Sequence, residues 1–477
     1  MKKYKKYEQY KDCDLIWLNE IPEHWETLSF RNILVERNEK NSPIKSKERL
    51  SLSINKGVTL YADKTTNLDR FKDDFTKYKL AHEGDLVLNS MNMIVGAVGV
   101  SKYYGCVSPV YYTFSSDPNN PNSTKYYEYL FRSKIVQGVL FGLGRGLIAK
   151  DRGDGKYNTL RLKVSRNDLR SLKLPKPSPS EQIKIAAFLD YKLTKINRFI
   201  QKKKQLIKLL NEQKAVIINQ AVTKGLDPNA QMKDSGIDWL GNIPEHWHLK
   251  KVKEVFKFDV GFTPDTTKPS YYFPEDYTWV NISDLTSKYI SNSAQGISEE
   301  YISITKKEIV PIGSLLYSFK LSVGKVAITT KELYTNEAIF AIHPSNDISI
   351  DYFFYSLPEQ IHKNANENIY GAKILNQKLI KNAQIVVPPF LEQEKIVNFL
   401  NHETGKIEKT ISTIEKEIAL TQEYKTALIA EAVTGKIDVR DFEIPKSTEE
   451  ESYEDLEEKL SIAAEDEAEY QTEEIEE

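Results

Sequence analysis

Residues 181–223 read EQIKIAAFLDYKLTKINRFIQKKKQLIKLLNEQKAVIINQAVT, and their periodicity decides the architecture. Leu189, Ile196, Lys203, Leu210 and Ile217 recur every seven residues, as do Leu193, Ile200, Ile207, Lys214 and Ala221. Two heptad series offset by four place an apolar seam along one face of a helix. Neither Pro nor Gly interrupts the stretch, which as a helix would span roughly 60 Å. That is too long for the core helix of a small globule, so the segment reads as a strut. It has a twin 211 residues on, where Glu392-Gln393, Phe399-Leu400 and Ala432-Val433-Thr434 repeat Glu181-Gln182, Phe188-Leu189 and Ala221-Val222-Thr223. The twin's series are Leu400, Ile407, Ile414, Thr421, Leu428 and Thr404, Ile411, Ile418, Lys425, Ala432. Each helix has the seam the other needs, and matched seams are expected to bury one another.

A second duplication precedes each strut. Residues 15–25 read LIWLNEIPEHW and residues 237–247 read IDWLGNIPEHW, so the chain is a tandem repeat. The shared His24 and His246 read as parts of a structural clasp rather than as catalytic groups: Pro fixes a turn and Trp supplies a large surface to bury.

With 477 residues and 40% hydrophobic side chains the chain can build two or three cores. Two cysteines, Cys13 and Cys106, exclude a disulfide framework or a cysteine-rich zinc site and suit a reducing cytoplasm. No apolar run approaches membrane-spanning length, and the basic start (Lys2, Lys3, Lys5, Lys6) is not followed by a signal-peptide core. A soluble cytoplasmic protein is expected. The formal charge of −2 conceals an asymmetry, since Ser447 to Glu477 holds 15 acidic residues and one basic. The remaining 65 basic and 53 acidic residues leave a basic body. A polyanionic tail of this density is expected to be disordered, either solubilising or mimicking nucleic acid.

Between these landmarks the pattern is β-rich. Leu50, Leu52 and Ile54 alternate in strand period, and Gly84 to Leu88 and Val107 to Phe114 are further strand candidates. Ser123 can cap a helix through about Gly138. In the second copy Gly313 to Leu316 echoes Gly84 to Val87, and Asp351 to Leu357 takes the place of the helix. Pro-rich connectors, Leu174 to Pro179 and Val387 to Pro389, close each β-rich region before its strut. The expected domains are 1–178, 179–233 (helix), 234–389, 390–438 (helix) and the acidic tail 439–477.

Catalytic signatures are missing. Gly142-Leu143-Gly144-Arg145-Gly146 follows a helix rather than a buried strand, so it is not a dinucleotide loop. Val387-Pro388-Pro389-Phe390 lacks the leading polar residue that an amino-methyltransferase needs. No phosphate loop or metal-ligand cluster occurs. The chain reads as a reader of DNA, with cations for phosphates and loop side chains for base edges. The candidates are Arg145, Lys150, Arg152, Lys156 and Arg161 in the first copy. In the second they are Thr263 in the loop Gly261 to Pro264, Lys268, Lys320, Lys325 and Lys373. Lys203 and Lys214, at heptad positions, read as setting helix register or pairing.

With both repeats quoted, the chain resembles the specificity subunit of type I restriction-modification systems over about residues 14–438. The likeness is carried by the doubled Trp-Leu-x-x-IPEHW segment, the Pro-rich connector into Glu-Gln, and the closing Ala-Val-Thr with a glycine beyond it. The resemblance implies an α/β (α+β) fold: two tandem target-recognition domains separated by two long antiparallel coiled-coil helices, a pseudo-twofold duplication. It also implies double-stranded DNA as ligand, with one half of a bipartite sequence read by each domain. Two methyltransferase subunits and motor-nuclease subunits would be partners. S-adenosylmethionine, ATP and Mg would belong to those partners, this chain binding no cofactor, needing no membrane and having no catalysis of its own. On the residues alone, two globules on a strut suit two half-sites at fixed separation. The alternatives are a coiled-coil scaffold that assembles proteins without touching DNA, and an autonomous DNA methyltransferase.

Overall fold

The computed structural model describes residues 4–63, 74–147, 161–273, 276–320, 322–364, 366–367 and 373–445. The heptad segments form helices Pro179–Lys224 and Phe390–Val433. The chain divides into unit 1, Met1–Lys204 with Glu415–Glu477, and unit 2, Gln205–Ile414. Each unit therefore takes one half of each long helix. Within unit 1 the halves run antiparallel, because Lys203 meets Glu417 at 3.0 Å while the earlier Asn197 accepts from the later Lys425 at 2.7 Å. In unit 2 Lys214 pairs with Glu408.

The seam residues are covered as the heptads predict. Leu189, Ile196, Leu400, Ile407, Ile414, Ile418 and Leu428 are buried, and Ile200, Ile207, Leu210, Ile217 and Ile411 are half-buried. Lys203 occupies a seam position with only 7% of its surface exposed, its ammonium held by Glu417 and lying 5.3 Å from the Phe199 ring centre. A charge in the seam favours the one register that pairs it.

In unit 1, strands β1 (Val35–Arg37), β2 (Leu86–Asn89), β3 (Val98–Val100) and β4 (Tyr111–Ser115) make an antiparallel sheet in the order β1-β4-β2-β3. Strand β2 is buried on both faces. Leu86 and Leu88 enter the main core with Phe30, Phe114 and Phe131, while Val87 enters a second cluster with Leu50, Leu52 and Val107. The run expected from Val107 to Phe114 is two strands, Gly105–Val107 and β4, separated by a turn. The helix expected from Ser123 to about Gly138 is also two. Ser123 caps Thr124–Arg132 and Ser133 caps Lys134–Leu143, because the Ser133 hydroxyl accepts from Val136 N–H and starts a new helix.

Unit 2 follows the same plan with a larger main sheet, and its strands include β5 (Phe258–Val260), β6 (Tyr277–Val280), β7 (Tyr289–Ile290), β8 (Gly296–Ile297), β9 (Leu315–Ser318), β10 (Val326–Thr329), β11 (Tyr334–Thr335) and β12 (Ile339–Ile342). Its main sheet runs β5-β12-β9-β10-β7 and a smaller one runs β8-β6-β11. Strand β9 repeats the logic of β2, with Leu315 and Tyr317 in one core and Leu316 in another. In both units the strand leaving the IPEHW segment pairs with the strand that runs into the connector: Glu26–Ser29 with Lys173–Lys176, and His248–Lys251 with Gln384–Val387. No helix among the described residues is long and apolar enough to cross a membrane.

Helix clasps and the candidate nucleic-acid interface

Each unit is locked to the long helices by one set of contacts made twice. Gln182 is buried; its amide donates to the Pro177 carbonyl and the Asn122 side chain, and its oxygen accepts from Ser123 N–H at 2.7 Å. Gln393 likewise donates to the Pro388 carbonyl and accepts from Ser349 N–H at 2.9 Å. The connector, the long helix and the N-terminus of the next shorter helix are thereby joined by one side chain. Tyr126 donates to the Val433 carbonyl at 2.9 Å, and Tyr352 to the Val222 carbonyl at 3.3 Å, satisfying the last turn of each long helix. Burial raises both phenol pKa values, so the hydroxyls stay protonated donors.

The IPEHW segments complete the clasps. Trp25 and Trp247 are fully buried. His24 pairs with Glu181 at 3.0 Å and His246 with Glu392 at 2.7 Å. Gly435 and Gly225, both with positive φ just past the helix ends, leave room for Pro22 with Trp25 and for Trp247 with Pro244. Both histidines thus serve the clasp.

The candidate cations fall in different places. Arg145 is exposed, with its guanidinium 3.7 Å from Asp168. Lys150, Arg152 and Lys156 lie outside the described residues, and Arg161 is described only as a backbone partner of Leu147. Lys325 is exposed beside β10, and Lys373 is described only through its backbone pairing with Glu367. Thr263 and Lys320 are brought together. The Thr263 hydroxyl donates to Glu337, and Glu337 lines an open cleft in unit 2 with Lys320, Asn281, Gln295 and Asn336. Gly261 makes this possible, because any Cβ there would strike the Thr335 and Asn336 carbonyls at 2.1 and 2.2 Å. Beyond the same loop, Phe262 stacks on Tyr301, which packs on Tyr271. Lys307 lies 5.2 Å from the Phe262 ring centre, and Lys268 lies 5.2 Å from that of Tyr271. An aromatic and cationic shelf therefore adjoins a polar cleft, a combination suited to phosphates and base edges.

Asn281, Gln295 and Asn336 were not legible from the sequence as site residues. They come from three separate segments and meet because each ends or begins a strand of the β8-β6-β11 sheet. Strands β6 and β8 are antiparallel and β6 and β11 parallel, so Gln295, Asn281 and Asn336 form a row across one sheet end. Asn336 Nδ2 donates to Asn281 Oδ1 at 3.1 Å, and Asn281 Nδ2 to Gln295 Oε1 at 2.7 Å.

The structure thus holds two similar α/β globules, each clasped to long helices, one of them carrying a polar cleft. The family described as type I restriction modification DNA specificity domain matches residues 244–419. Similar curated proteins include the type I restriction enzyme MjaIX specificity subunit of Methanocaldococcus jannaschii, 29% identical over 38% of this chain and 44% of its own length. The putative MjaX specificity subunit of the same organism is 24% identical over 89% of this chain and 96% of its own. The HindI specificity subunit of Haemophilus influenzae is 24% identical over 41% of this chain and 42% of its own. The matches to MjaIX and HindI thus span less than half of those relatives. Among solved structures, one described as the structural basis of complex assembly and conformational transition of the type I R-M system aligns with a TM-score of 0.67. It is 13% identical and covers 87% of this chain and 99% of its own. The HsdS subunit from Thermoanaerobacter tengcongensis aligns at 0.52, 14% identical, covering 87% of this chain and 98% of its own. The chain is thus similar to the type I restriction modification DNA specificity domain over residues 244–419 and to the putative MjaX specificity subunit over most of its length.

Proposed function

We propose that this chain is the DNA-reading subunit of a type I restriction-modification complex, each unit specifying one half of a bipartite duplex sequence. The observation that carries the reading is the doubled clasp. Gln182 with Tyr126 and Gln393 with Tyr352 fix two α/β globules to the long helices by the same bonds. A protein that reads two half-sites needs two such equivalent mounts. Exposed apolar side chains on the long helices, Leu206, Leu209 and Val216 on the first and Leu391 and Phe399 on the second, offer surface to partner subunits. Two methyltransferase subunits would dock there, and motor-nuclease subunits would join for cleavage. S-adenosylmethionine, ATP and Mg would serve those subunits, with this chain acting in the cytoplasm as a recognition subunit and not an enzyme.

The test replaces residues 26–173 with the corresponding segment of a relative, followed by methylation mapping in the host genome. One half of the methylated sequence changes and the other half stays. A change in both halves, or no sequence-specific methylation dependent on the chain, would defeat the proposal.

A further inference from the structure

The amide row in unit 2 has a direction, and one backbone group sets it. Ala338 N–H donates to the Asn336 side-chain oxygen at 3.1 Å. Only an oxygen can accept there, so Asn336 must turn its NH₂ towards Asn281. Asn281 must then offer its oxygen to Asn336 and its NH₂ to Gln295, at 3.1 and 2.7 Å. Gln295 must in turn spend its oxygen on Asn281. Each carbonyl is used inside the row, and the exposed end of the row is the Gln295 Nε2 group with two N–H donors. The same cleft holds the exposed Lys320 ammonium, also a donor, and the Glu337 carboxylate, an acceptor.

We infer that this cleft specifies a G·C base pair within the half-site of unit 2. Gln295 Nε2 and Lys320 Nζ donate to guanine O6 and N7, and Glu337 accepts from cytosine N4. Donor pairs match the two acceptors that guanine alone presents in the major groove, and a carboxylate matches the cytosine amino group. Gln295 is the reading residue, and Asn281 and Asn336 are positioning residues that keep its donors outward. The inference rests on the DNA-reading function proposed above and adds the base pair and the side chains.

The polarity of the row provides the test. Asn336→Asp keeps shape and still accepts from Ala338, but its second oxygen now demands a donor from Asn281. Asn281 must flip, Gln295 must flip after it, and the row then ends in the Gln295 oxygen. Gln295→Glu produces an outward acceptor directly. The full-length variants are expressed with the host's methyltransferase subunits, and methylated sites are mapped genome-wide. Both variants shift preference at one and the same base pair of one half-site, from guanine to a base presenting a donor, adenine or cytosine. Gln295→Ala weakens discrimination at that pair on the order of tenfold or more, as expected for one lost base contact. Should Asn336→Asp abolish methylation altogether, the exposed Gln295→Glu decides alone. Unchanged sequence preference in Gln295→Glu and Gln295→Ala, or a change confined to the other half-site, overturns the inference while leaving the DNA-reading function standing. Absence of sequence-specific methylation with the unaltered chain would instead refute the function itself.

Discussion

The clasps of the two units use the same residues but differ in how the chain reaches them. In unit 2 the end of the first long helix continues directly through Gly225 into residues 237–247. Lys224 reaches the Leu240 and Asn242 carbonyls, tying the helix end to the segment that follows it. In unit 1 the corresponding parts are the two ends of the chain, with Trp25 near the start and Gly435 near the finish. A set of non-covalent contacts stands where the peptide runs in unit 2. Asp438 N–H donates to the Lys5 carbonyl at 2.8 Å, Lys5 pairs with Asp441 at 3.0 Å, and Tyr10 donates to the Gly435 carbonyl at 3.1 Å. The Tyr7 hydroxyl also donates to Glu181, and Arg440 lies 5.1 Å from the centre of the Tyr7 ring. Glu181 is consequently 4% exposed, against 27% for Glu392. Here side chains supply what the continuous peptide gives the other unit.

The largest expected effects test whether the clasps are equivalent. Trp25→Ala and Trp247→Ala each remove a fully buried indole and should destabilise by about 3–5 kcal/mol. Hydrogen exchange should show the loss in residues 4–204 and 415–445 for Trp25→Ala, and in 205–414 for Trp247→Ala. Equal deprotection of both units by either variant would break the comparison. Neither indole N–H has a hydrogen-bond partner among the described residues, so Trp→Phe should cost clearly less at both sites.

Glycine past the helix end sharpens the contrast. Both positions have positive φ, so alanine is strained by about 1 kcal/mol at either. At Gly435 the new Cβ would also stand 2.4 Å from Pro22 Cδ, whereas at Gly225 its nearest neighbour is Trp247 Cζ2 at 3.2 Å. Gly435→Ala should therefore destabilise more than Gly225→Ala, by about a further 1–3 kcal/mol, read as a lower urea midpoint. The reverse order would mean that the strap of chain ends in unit 1 yields more easily than the covalent turn in unit 2.

The smallest effects are at the histidines. His24 and His246 are 44% and 54% exposed, so solvent screening limits each pair to under about 1 kcal/mol. His24→Ala should still lower the thermal midpoint more than His246→Ala, because its partner Glu181 is the more buried carboxylate. Equal shifts would show that the chain-end contacts add nothing to the pair, and both variants should leave the methylated sequence unaltered.

Much of this architecture could be read without coordinates. Heptads in residues 181–223 and their twin determined two long helices with matched seams, since a period of 3.5 residues fixes which side chains share a face. The doubled IPEHW segments determined a repeated structural clasp, and Gly84 to Leu88, with its echo Gly313 to Leu316, marked a strand in each copy. The break at Ser133 was not legible, because a serine inside an apolar helical pattern can either face solvent or cap a new helix. Nor did the sequence say that the first IPEHW segment would grip the end of the second long helix at Gly435, more than 400 residues away in the chain.

The cleft marks the same boundary most sharply. Charge and loop composition singled out Thr263 and Lys320, but the amide row needed strands β6, β8 and β11 side by side before Gln295, Asn281 and Asn336 could meet. Local sequence determined the helices, the strands and the duplication, because periodicity acts between residues a few positions apart. Only the tertiary structure decided which chain end closes which clasp and which way the amides point. Those outcomes depend on hydrogen bonds whose partners the chain brings together from distant segments.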